Sequence, residues 1–399
     1  SLDKLSGLIY LVYTSKNRLT KAVLLRSNTF CQKGICLIMK IAIVPFHSGL
    51  ANDILFDKDN ESTNSDDLIT PYYYIKQEYE KRGVSINTLD QYNTLDSLDC
   101  VLFFKLDYNE LIRCIKSKVK RLYYFAWEPE VVDNHHSKKN LAKLEPFFNV
   151  IFTWNDDIVD GNKYLKINYP YHFTNVIECP TRENFEKRNL LVNISGNKIS
   201  FQHNELYSVR RKVISFYNKY SCTYFSLYGR GWLKNLRVYK GVCISKKKVY
   251  TQFKFALCLE NMCNVNGYVT EKIFDCFTAG IVPVYWGASN IEKYIPKQCF
   301  ISYTDFSSID DLNHFLINMS YEEYCNYICH IKEYLQSSAK SVFEYKYFMR
   351  QLDSALISNI ERECNNEVAL AFYSILQNIS RKPKALFNLT TKLIVDYCM

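Results

Sequence analysis

The residues best suited to chemistry lie close together between positions 255 and 287. An apolar run ends in the acid–amide pair Glu260-Asn261, and a turn then leads to Thr270, Glu271 and Lys272 at the start of a predicted helix. A Thr cap leaves free N–H groups at the positive end of the helix dipole, and with Lys272 beside them this arrangement suits a diphosphate. The two carboxylate oxygens of Glu271 suit the diol of a ribose. On the residues alone, Glu271 and Lys272 are equally compatible with ordinary surface charges in a first helical turn.

Two series of alternating apolar and amphipathic segments must position these residues. The first series predicts buried strands at 41–46, 84–89, 100–104, 122–127 and 150–154. The second predicts strands at 190–194, 223–227, 255–259, 281–286 and 299–303. Helices of the second series are predicted at 205–219, 271–279 and 291–294. Such alternation is typical of βαβ units, so we expect an α/β fold with two Rossmann-like lobes that face a cleft.

The positive charge of the chain is concentrated at its N-terminus. The 50 Lys and Arg residues against 41 Asp and Glu give a net charge of +9, and residues 1–40 carry +6 of it. A nucleic-acid binder would need basic residues interleaved with aromatic ones on the folded body. The nearly balanced remainder of the chain argues against that class.

The 15 cysteines form no CxxC pair and no Cys/His cluster at zinc spacing. Because the cysteines are scattered and odd in number, we expect a reduced, intracellular chain. A secreted protein is the alternative, since the sequence contains Asn-x-Ser/Thr sequons at Asn60, Asn193, Asn318, Asn378 and Asn388.

The stretch between 255 and 287 reads FALCLENMCNVNGYVTEKIFDCFTAGIVPVYWG. Its ordered motifs are Glu-Asn after an apolar strand, then Tyr-Val-Thr-Glu-Lys, then Val-Pro-Val and a closing Gly. This stretch is similar to the donor-binding signature of the α-1,3-fucosyltransferases, glycosyltransferase family 10. Shorter matches extend the resemblance to about residues 120–320, and they are Val209-Arg210, Tyr228-Gly229-Arg230-Gly231 and Asp305-Phe306.

The resemblance implies a GT-B architecture in which the C-terminal lobe binds GDP-fucose. It implies that Arg210 and Lys272 neutralise the diphosphate and that Glu271 binds the ribose. Asn261 and Tyr268 are then expected to line the donor pocket.

Two of the basic residues have alternatives that the sequence leaves open. Arg210 is followed by Arg211 and Lys212, so a solvated basic helix face would also explain it. Arg230 is a further candidate for binding phosphate, with a structural role in a turn as its alternative.

Glu128 is the expected general base. In the family, a Glu just after an N-lobe strand takes the proton from the acceptor hydroxyl, and Glu128 follows the predicted strand at 122–127. Desolvation beside Trp127 would raise the pKa of this carboxyl and make it a better base. The neighbouring residues differ from the family's usual Gly-Glu-Asn or Phe-Glu-Ser, so Glu130 and a plain loop carboxylate stay as alternatives.

These expectations describe an inverting transferase that moves L-fucose from GDP-β-L-fucose to a sugar hydroxyl, O3 of an N-acetylglucosamine or glucose unit. The product is an α-1,3-fucoside in a glycan, either protein-linked or part of a lipopolysaccharide. We expect no required cofactor and no metal site, with a divalent metal at most stimulatory. The expected partners are GDP-fucose and an oligosaccharide acceptor, without nucleic acid. The alternatives are a GT-B transferase for another nucleotide sugar and a non-catalytic nucleotide-sugar or glycan-binding relative.

Four regions are expected along the chain: a poorly ordered basic leader (1–38), an acceptor-binding lobe (39–177), a GDP-fucose-binding lobe (178–345) and a helical extension (346–399). An apolar stripe in the extension, Leu386, Leu389, Leu393 and Tyr397, is expected to pack across the lobes. Docking on an anionic membrane surface is its alternative. We therefore expect a cytoplasmic protein with peripheral membrane contact as an option, or a Golgi lumenal one if the chain is a trimmed eukaryotic enzyme.

Two further runs are predicted to be solvated. His135-His136 lack a third ligand at metal spacing and indicate a solvent loop. The run Lys246-Lys247-Lys248 indicates the exposed start of a helix.

Overall fold

The computed structural model describes residues 39–60, 62–173 and 177–357, together with the backbone of residues 31–32 and 35–36. In that backbone, β1 (Cys31–Gln32) and β2 (Ile35–Cys36) form a short antiparallel pair. The rest of the predicted leader and the C-terminal apolar stripe lie outside the described residues. Among the described residues, no helix combines the length and the apolar character that crossing a bilayer requires.

The N-terminal lobe is built on a parallel sheet of six strands. They are β3 (Lys40–Val44), β4 (Ser85–Thr88), β5 (Cys100–Phe103), β6 (Leu122–Ala126), β7 (Val150–Thr153) and β8 (Tyr164–Lys166), and their order is β4-β3-β5-β6-β7-β8. Strands β5, β6 and β7 are buried at every residue, which is typical of central strands covered on both faces. The helices of this lobe are α1 (Thr70–Lys81), α2 (Tyr108–Lys116) and α3 (Lys138–Leu144).

The C-terminal lobe is built on a second parallel sheet of six strands. They are β9 (Asn189–Ile194), β10 (Phe225–Tyr228), β11 (Tyr239–Gly241), β12 (Phe253–Leu259), β13 (Val282–Trp286) and β14 (Ile301–Ser302), and their order is β11-β10-β9-β12-β13-β14. The helices of this lobe are α4 (Arg182–Lys187), α5 (Tyr207–Tyr220), α6 (Lys246–Tyr250), α7 (Glu271–Thr278), α8 (Ile309–Asn318) and α9 (Tyr321–Gln336).

The α/β fold with two Rossmann-like lobes is confirmed, and the differences concern short elements. The edge strands β8 and β11 were not predicted, because three residues are too few to show an alternating pattern. The helix predicted at 291–294 is a single 3-10 turn, Ile291–Lys293.

The last described helix, α10 (Tyr345–Ile357), returns from the C-terminal lobe to the N-terminal lobe. Phe348 and Leu352 are buried in the N-terminal core, where α10 packs beside α1. The Tyr79 hydroxyl of α1 donates to Asp353 at 2.9 Å, and Arg82 pairs with the same carboxylate at 2.8 Å. Between residues 39 and 357 the chain therefore crosses between the lobes twice.

A disulfide joins Cys179 and Cys325. It joins the segment that follows the N-terminal lobe to helix α9. The sequence favoured a reduced chain, and this pair departs from that expectation. No local motif could have indicated it, because 146 residues separate the two cysteines.

The lobes also contact each other through Asp156, which follows β7. Its carboxylate accepts hydrogen bonds from Asn290 at 2.7 Å and from the Tyr294 hydroxyl at 2.7 Å, both in the C-terminal lobe. Lys166 of the N-terminal lobe donates to it at 2.6 Å. Burial acts to raise the pKa of Asp156, but these hydrogen bonds outweigh burial and lower it. An ionised carboxylate therefore holds the two lobes together.

Candidate active site

A cleft with a volume of about 280 Å³ has walls from both lobes. It lies where β6, β9 and β12 end, and the carboxyl ends of parallel strands are the usual ligand-binding edge of such sheets. The charged side chains that line it are Glu128, Lys198, Arg210, Lys246, Glu271, Lys272 and Asp275. The cleft therefore brings Glu128 together with most of the residues predicted in the C-terminal lobe.

Helix α7 begins at this cleft because Thr270 caps it. The Thr270 hydroxyl accepts from the Lys272 main-chain N–H, and the main-chain N–H and hydroxyl of Thr270 donate to Glu260 at 2.9 Å. Glu260 is fully buried, so its negative charge needs partners. Lys272 supplies one, with its Nζ 2.9 Å from the Glu260 carboxylate. Glu260 thereby fixes both the start of α7 and the position of Lys272.

Lys272 and Glu271 are neighbours in the cleft, with Nζ and Oε1 3.7 Å apart. Burial acts to lower the pKa of Lys272, but Glu260 and Glu271 outweigh burial and raise it. Burial acts to raise the pKa of Glu271, but Lys272 and Lys246 hold it at about 2. Both side chains are therefore charged at neutral pH, the state in which they could bind a diphosphate and a diol.

Arg210 reaches the cleft from α5 and is only 5% exposed. Its Nη2 donates to the main-chain oxygens of Leu259 and Glu260, each at 2.6 Å. These bonds anchor the guanidinium at the end of β12, and burial lowers the pKa of Arg210. The alternative of a solvated basic helix face therefore does not apply to Arg210, while its role in phosphate binding stays a prediction.

Asn261 and Tyr268 lie together on the wall of the cleft, where Asn261 Nδ2 donates to the Tyr268 hydroxyl at 3.3 Å. Tyr268 is buried and packs on Trp154 of the N-terminal lobe, with the ring centroids 4.6 Å apart. The preceding Gly267 has φ +85°, and a Cβ there would lie 2.3 Å from the Trp154 main-chain oxygen. Only glycine allows this close approach, which docks the loop before α7 on the N-terminal lobe.

Glu128 lies two residues beyond β6, on the N-terminal wall of the cleft. Its side chain is exposed in the cleft, and no hydrogen bond to its carboxylate occurs among the described residues. Loss of hydration between the lobes raises the pKa of Glu128, with Lys272 and Lys198 acting in the opposite direction. The alternative candidate Glu130 is not among the residues that line the cleft. Glu128 is thus a carboxylate free to meet a ligand.

Arg230 is not brought into the cleft. Its side chain is exposed in the loop after β10, and it is not among the lining residues. Its main-chain oxygen accepts from the Asn197 N–H at 2.9 Å. This placement favours the structural turn alternative, and phosphate binding by Arg230 stays a prediction without support from the geometry.

Sequence reasoning missed Lys198, Lys246 and Asp275. Lys246 begins α6, and its Nζ lies 2.6 Å from the buried carboxylate of Asp275, which burial brings to a pKa of about 6. The helix does start at Lys246, as predicted, but the side chain of Lys246 is only partly exposed and is paired with Asp275. Asp275 lies one helical turn after Glu271, and this spacing is the one signal that could have indicated it. Within the run Lys246-Lys247-Lys248, the sequence gives no reason to single out Lys246 as the lysine that pairs with Asp275.

The prediction of a solvent loop is wrong for His136. Its side chain is only 6% exposed. One ring nitrogen lies 2.6 Å from the Tyr124 hydroxyl and the other 2.6 Å from the main-chain oxygen of Glu128. His135 is exposed and pairs with Asp133, as a solvated side chain does.

Positive charge in the cleft comes from four side chains, Lys198, Arg210, Lys246 and Lys272. Within the part of the chain that the structure describes, no three His, Cys, Asp or Glu side chains are grouped as a metal site. The four cations can neutralise a strongly anionic ligand.

Two lobes, each built on a Rossmann-like sheet and facing one cleft, are the GT-B architecture of glycosyltransferases. A crystal structure of an α1,3-fucosyltransferase has the same fold, with a TM-score of 0.50 at 17% identity, over 82% of this chain and 92% of that chain. Residues 200–364 match the family model of glycosyltransferase family 10 (fucosyltransferase), C-terminal region. Residues 200–364 are therefore similar to the C-terminal region of that family, in agreement with the resemblance seen in the sequence.

Three curated relatives match over short segments. An α-(1,3)-fucosyltransferase of Helicobacter pylori is 37% identical over 67 residues, which are 17% of this chain and 14% of the relative. An α-(1,4)-fucosyltransferase of Arabidopsis thaliana is 40% identical over 62 residues, 16% of this chain and 15% of the relative. The 4-galactosyl-N-acetylglucosaminide 3-α-L-fucosyltransferase 9 of Mus musculus is 45% identical over 65 residues, 16% of this chain and 18% of the relative. The matches therefore span less than a fifth of each relative's length.

Proposed function

We propose that this protein transfers L-fucose from GDP-β-L-fucose to O3 of an N-acetylglucosamine or glucose unit, with inversion at the anomeric carbon. The observation that carries the proposal is the arrangement of the cleft, in which the free carboxylate of Glu128 shares one space with Lys272 and Arg210. The family model covers the segment that holds both cations, which supports fucose as the transferred sugar.

The donor is held in the C-terminal lobe. Lys272 and Arg210 neutralise the diphosphate, and the ionised Glu271 accepts hydrogen bonds from the ribose hydroxyls. Lys246 adds positive charge beside them. As the bond to the sugar breaks, negative charge grows on the leaving GDP, so fixed cations stabilise the transition state more than the bound donor.

Glu128 acts as the general base on the acceptor. The acceptor hydroxyl gives its proton to the Glu128 carboxylate while its oxygen forms a bond to the anomeric carbon. The bond from that carbon to the β-phosphate oxygen breaks on the opposite face, and GDP leaves with the electron pair. A β-linked donor therefore gives an α-fucoside. The raised pKa of Glu128 makes it a stronger base than an ordinary carboxylate.

The proposed reaction requires no metal cofactor, because lysine and arginine side chains stand where they can neutralise the diphosphate. The assay is therefore run with and without a chelator. Equal rates are expected, and loss of activity with the chelator would contradict this part of the proposal.

The experiment that tests the function is transfer from GDP-fucose to N-acetyllactosamine, with the product linkage determined by NMR. The expected result is GDP release matched by an α-1,3-fucosylated product. An α-1,4 product would keep the fucosyltransferase assignment and overturn O3. Turnover of another nucleotide sugar but not of GDP-fucose would overturn the donor. GDP-fucose binding with neither transfer nor hydrolysis, across a panel of acceptors, would indicate a non-catalytic relative.

A further inference from the structure

The loop after β6 contains a buried histidine that contacts the main chain of Glu128. His136 lies eight residues beyond Glu128, and its Nδ1 is 2.6 Å from the Glu128 main-chain oxygen. On the other side of the ring, Nε2 is 2.6 Å from the Tyr124 hydroxyl. Tyr124 belongs to β6 and is fully buried, stacked on Phe148 with ring centroids 5.1 Å apart. His136 therefore bridges the core of the N-terminal lobe and the main chain of Glu128.

Hydrogen-bond chemistry fixes the proton positions in this bridge. A main-chain oxygen can only accept, so Nδ1 of His136 carries the hydrogen and donates to Glu128. In the neutral ring, Nε2 then accepts from the hydroxyl of Tyr124. Burial lowers the pKa of His136, with Asp133 acting in the opposite direction. The neutral ring is therefore the form present at neutral pH.

Hydrogen bonds from side chains also hold the main chain of Trp127, the residue before Glu128. The main-chain oxygen of Trp127 accepts from Trp154 Nε1 at 2.6 Å and from the Tyr169 hydroxyl. Trp154 follows β7, and Tyr169 lies in the segment that leaves the N-terminal lobe. Donors from three separate segments thus hold two consecutive main-chain oxygens.

The Glu128 side chain contrasts with its main chain. The carboxylate accepts no hydrogen bond from the described residues, whereas the two main-chain oxygens around it accept three. A base needs this combination, because its backbone must be fixed while its carboxylate stays free for the acceptor hydroxyl.

We propose that His136 is a positioning residue for Glu128, which sets where the carboxylate meets the acceptor through the hydrogen bond from Nδ1 to the Glu128 main-chain oxygen. The proposal rests on the proposed function, since it assigns Glu128 as the base. Loss of this hydrogen bond moves the base but leaves the donor site intact, because the donor residues lie in the other lobe.

The test compares variants that separate the hydrogen bond from the volume of the ring. His136→Phe fills the space and removes both hydrogen bonds, whereas His136→Asn keeps an N–H donor close to the position of Nδ1. His135→Phe is the matched control, because His135 is exposed and has no contact with Glu128. For transfer from GDP-fucose, we expect His136→Phe to lower kcat by about 10²-fold, because a catalytic group that is displaced by about 1 Å costs a factor of that size. The donor KM and the Kd for GDP stay unchanged, His136→Asn recovers most of kcat, and His135→Phe matches the wild type.

Two results would overturn the positioning role. One is a wild-type kcat for His136→Phe, and the other is a loss of kcat accompanied by an equal loss of GDP binding, which indicates general damage. If the wild-type protein transfers no sugar, the proposed function fails instead. The hydrogen bond is then tested directly by ¹⁵N NMR, where a His136 ring protonated at Nε2 alone would contradict the bridge.

Discussion

The proposed reaction depends most directly on the carboxylate of Glu128. We expect Glu128→Gln to lower kcat for transfer by about 10²–10⁴-fold, because an amide cannot accept the proton. GDP binding stays unchanged, since the donor residues lie in the other lobe. Initial rates and calorimetric titration with GDP measure the two effects. Glu130→Gln is the matched control and keeps the wild-type rate, and a wild-type rate in Glu128→Gln would reject this base.

The same carboxylate predicts how the rate depends on pH. Desolvation raises the pKa of Glu128 above its ordinary value of 4.5, and the base works only when ionised. As pH falls through the raised pKa, Glu128 takes up a proton and kcat/KM declines. The acid limb of the kcat/KM profile is therefore expected at a higher pH than for an ordinary carboxylate, and it should disappear in Glu128→Gln. If the acid limb is unchanged in Glu128→Gln, a titratable group other than Glu128 causes it.

Lys246 is one of two cleft cations that the sequence did not reveal; the other is Lys198. We expect Lys246→Met to raise the donor KM about 10-fold, because the variant loses one charge-assisted hydrogen bond to the donor. Folding is largely preserved, because Asp275 already has a pKa of about 6 and takes up a proton once its partner is gone. Lys247→Met, on the exposed side of the same helix, is the control. Equal donor KM values for the two variants would remove Lys246 from the donor site.

At the scale of elements, a loop of the N-terminal lobe holds the helix that carries Lys246. The Asp66 carboxylate accepts from the Ser245 hydroxyl at 3.0 Å and from the Lys246 main-chain N–H at 2.9 Å, across the two lobes. Asp66 has φ 53°, so glycine there removes the carboxylate without straining the backbone. The loop between 52 and 67 thus contacts the helix that carries Lys246, a cation of the cleft.

We therefore expect Asp66→Gly to lower the free energy of unfolding by about 0.5–2 kcal/mol, the range for loss of a helix cap, and to raise the donor KM. Urea denaturation and initial rates check the two effects. Asp59→Gly, in the same loop with a side chain that is 86% exposed, is the control for loop flexibility. If both variants change the donor KM equally, the contact between Asp66 and α6 does not support the donor site.

At the scale of the whole molecule, the disulfide closes a long loop of the chain. Cys179 and Cys325 lie 146 residues apart, so their bond removes much conformational freedom from the unfolded chain. We expect Cys325→Ser to lower the free energy of unfolding by about 2–5 kcal/mol, measured by urea denaturation without reductant. Cys329→Ser, an exposed free cysteine on the same helix, should be neutral. Reductant should destabilise the wild type but not Cys325→Ser, and equal sensitivity would argue against the bond.

The sequence determined the fold class and the start of the helix that faces the cleft. Alternating apolar segments predicted most of the strands, and Thr270 predicted where α7 begins, because strand patterns and helix caps act over a few residues. The cap places Glu271 and Lys272 in the first turn of α7, but only the family resemblance favoured a binding role over ordinary surface charges. Glu128 was predicted from the family resemblance, in which a Glu follows a strand of the N-terminal lobe.

Only the tertiary structure decided which side chains meet. Glu260 with Lys272, Lys246 with Asp275 and His136 with the Glu128 main chain all depend on how separate segments pack. Histidine and lysine runs look solvated in a sequence because their burial is decided by partners far along the chain. Arg230 is the opposite case: it belongs to a motif that matches the family, but it does not line the cleft. Local patterns set the elements, and long-range packing selected the residues that share the cleft.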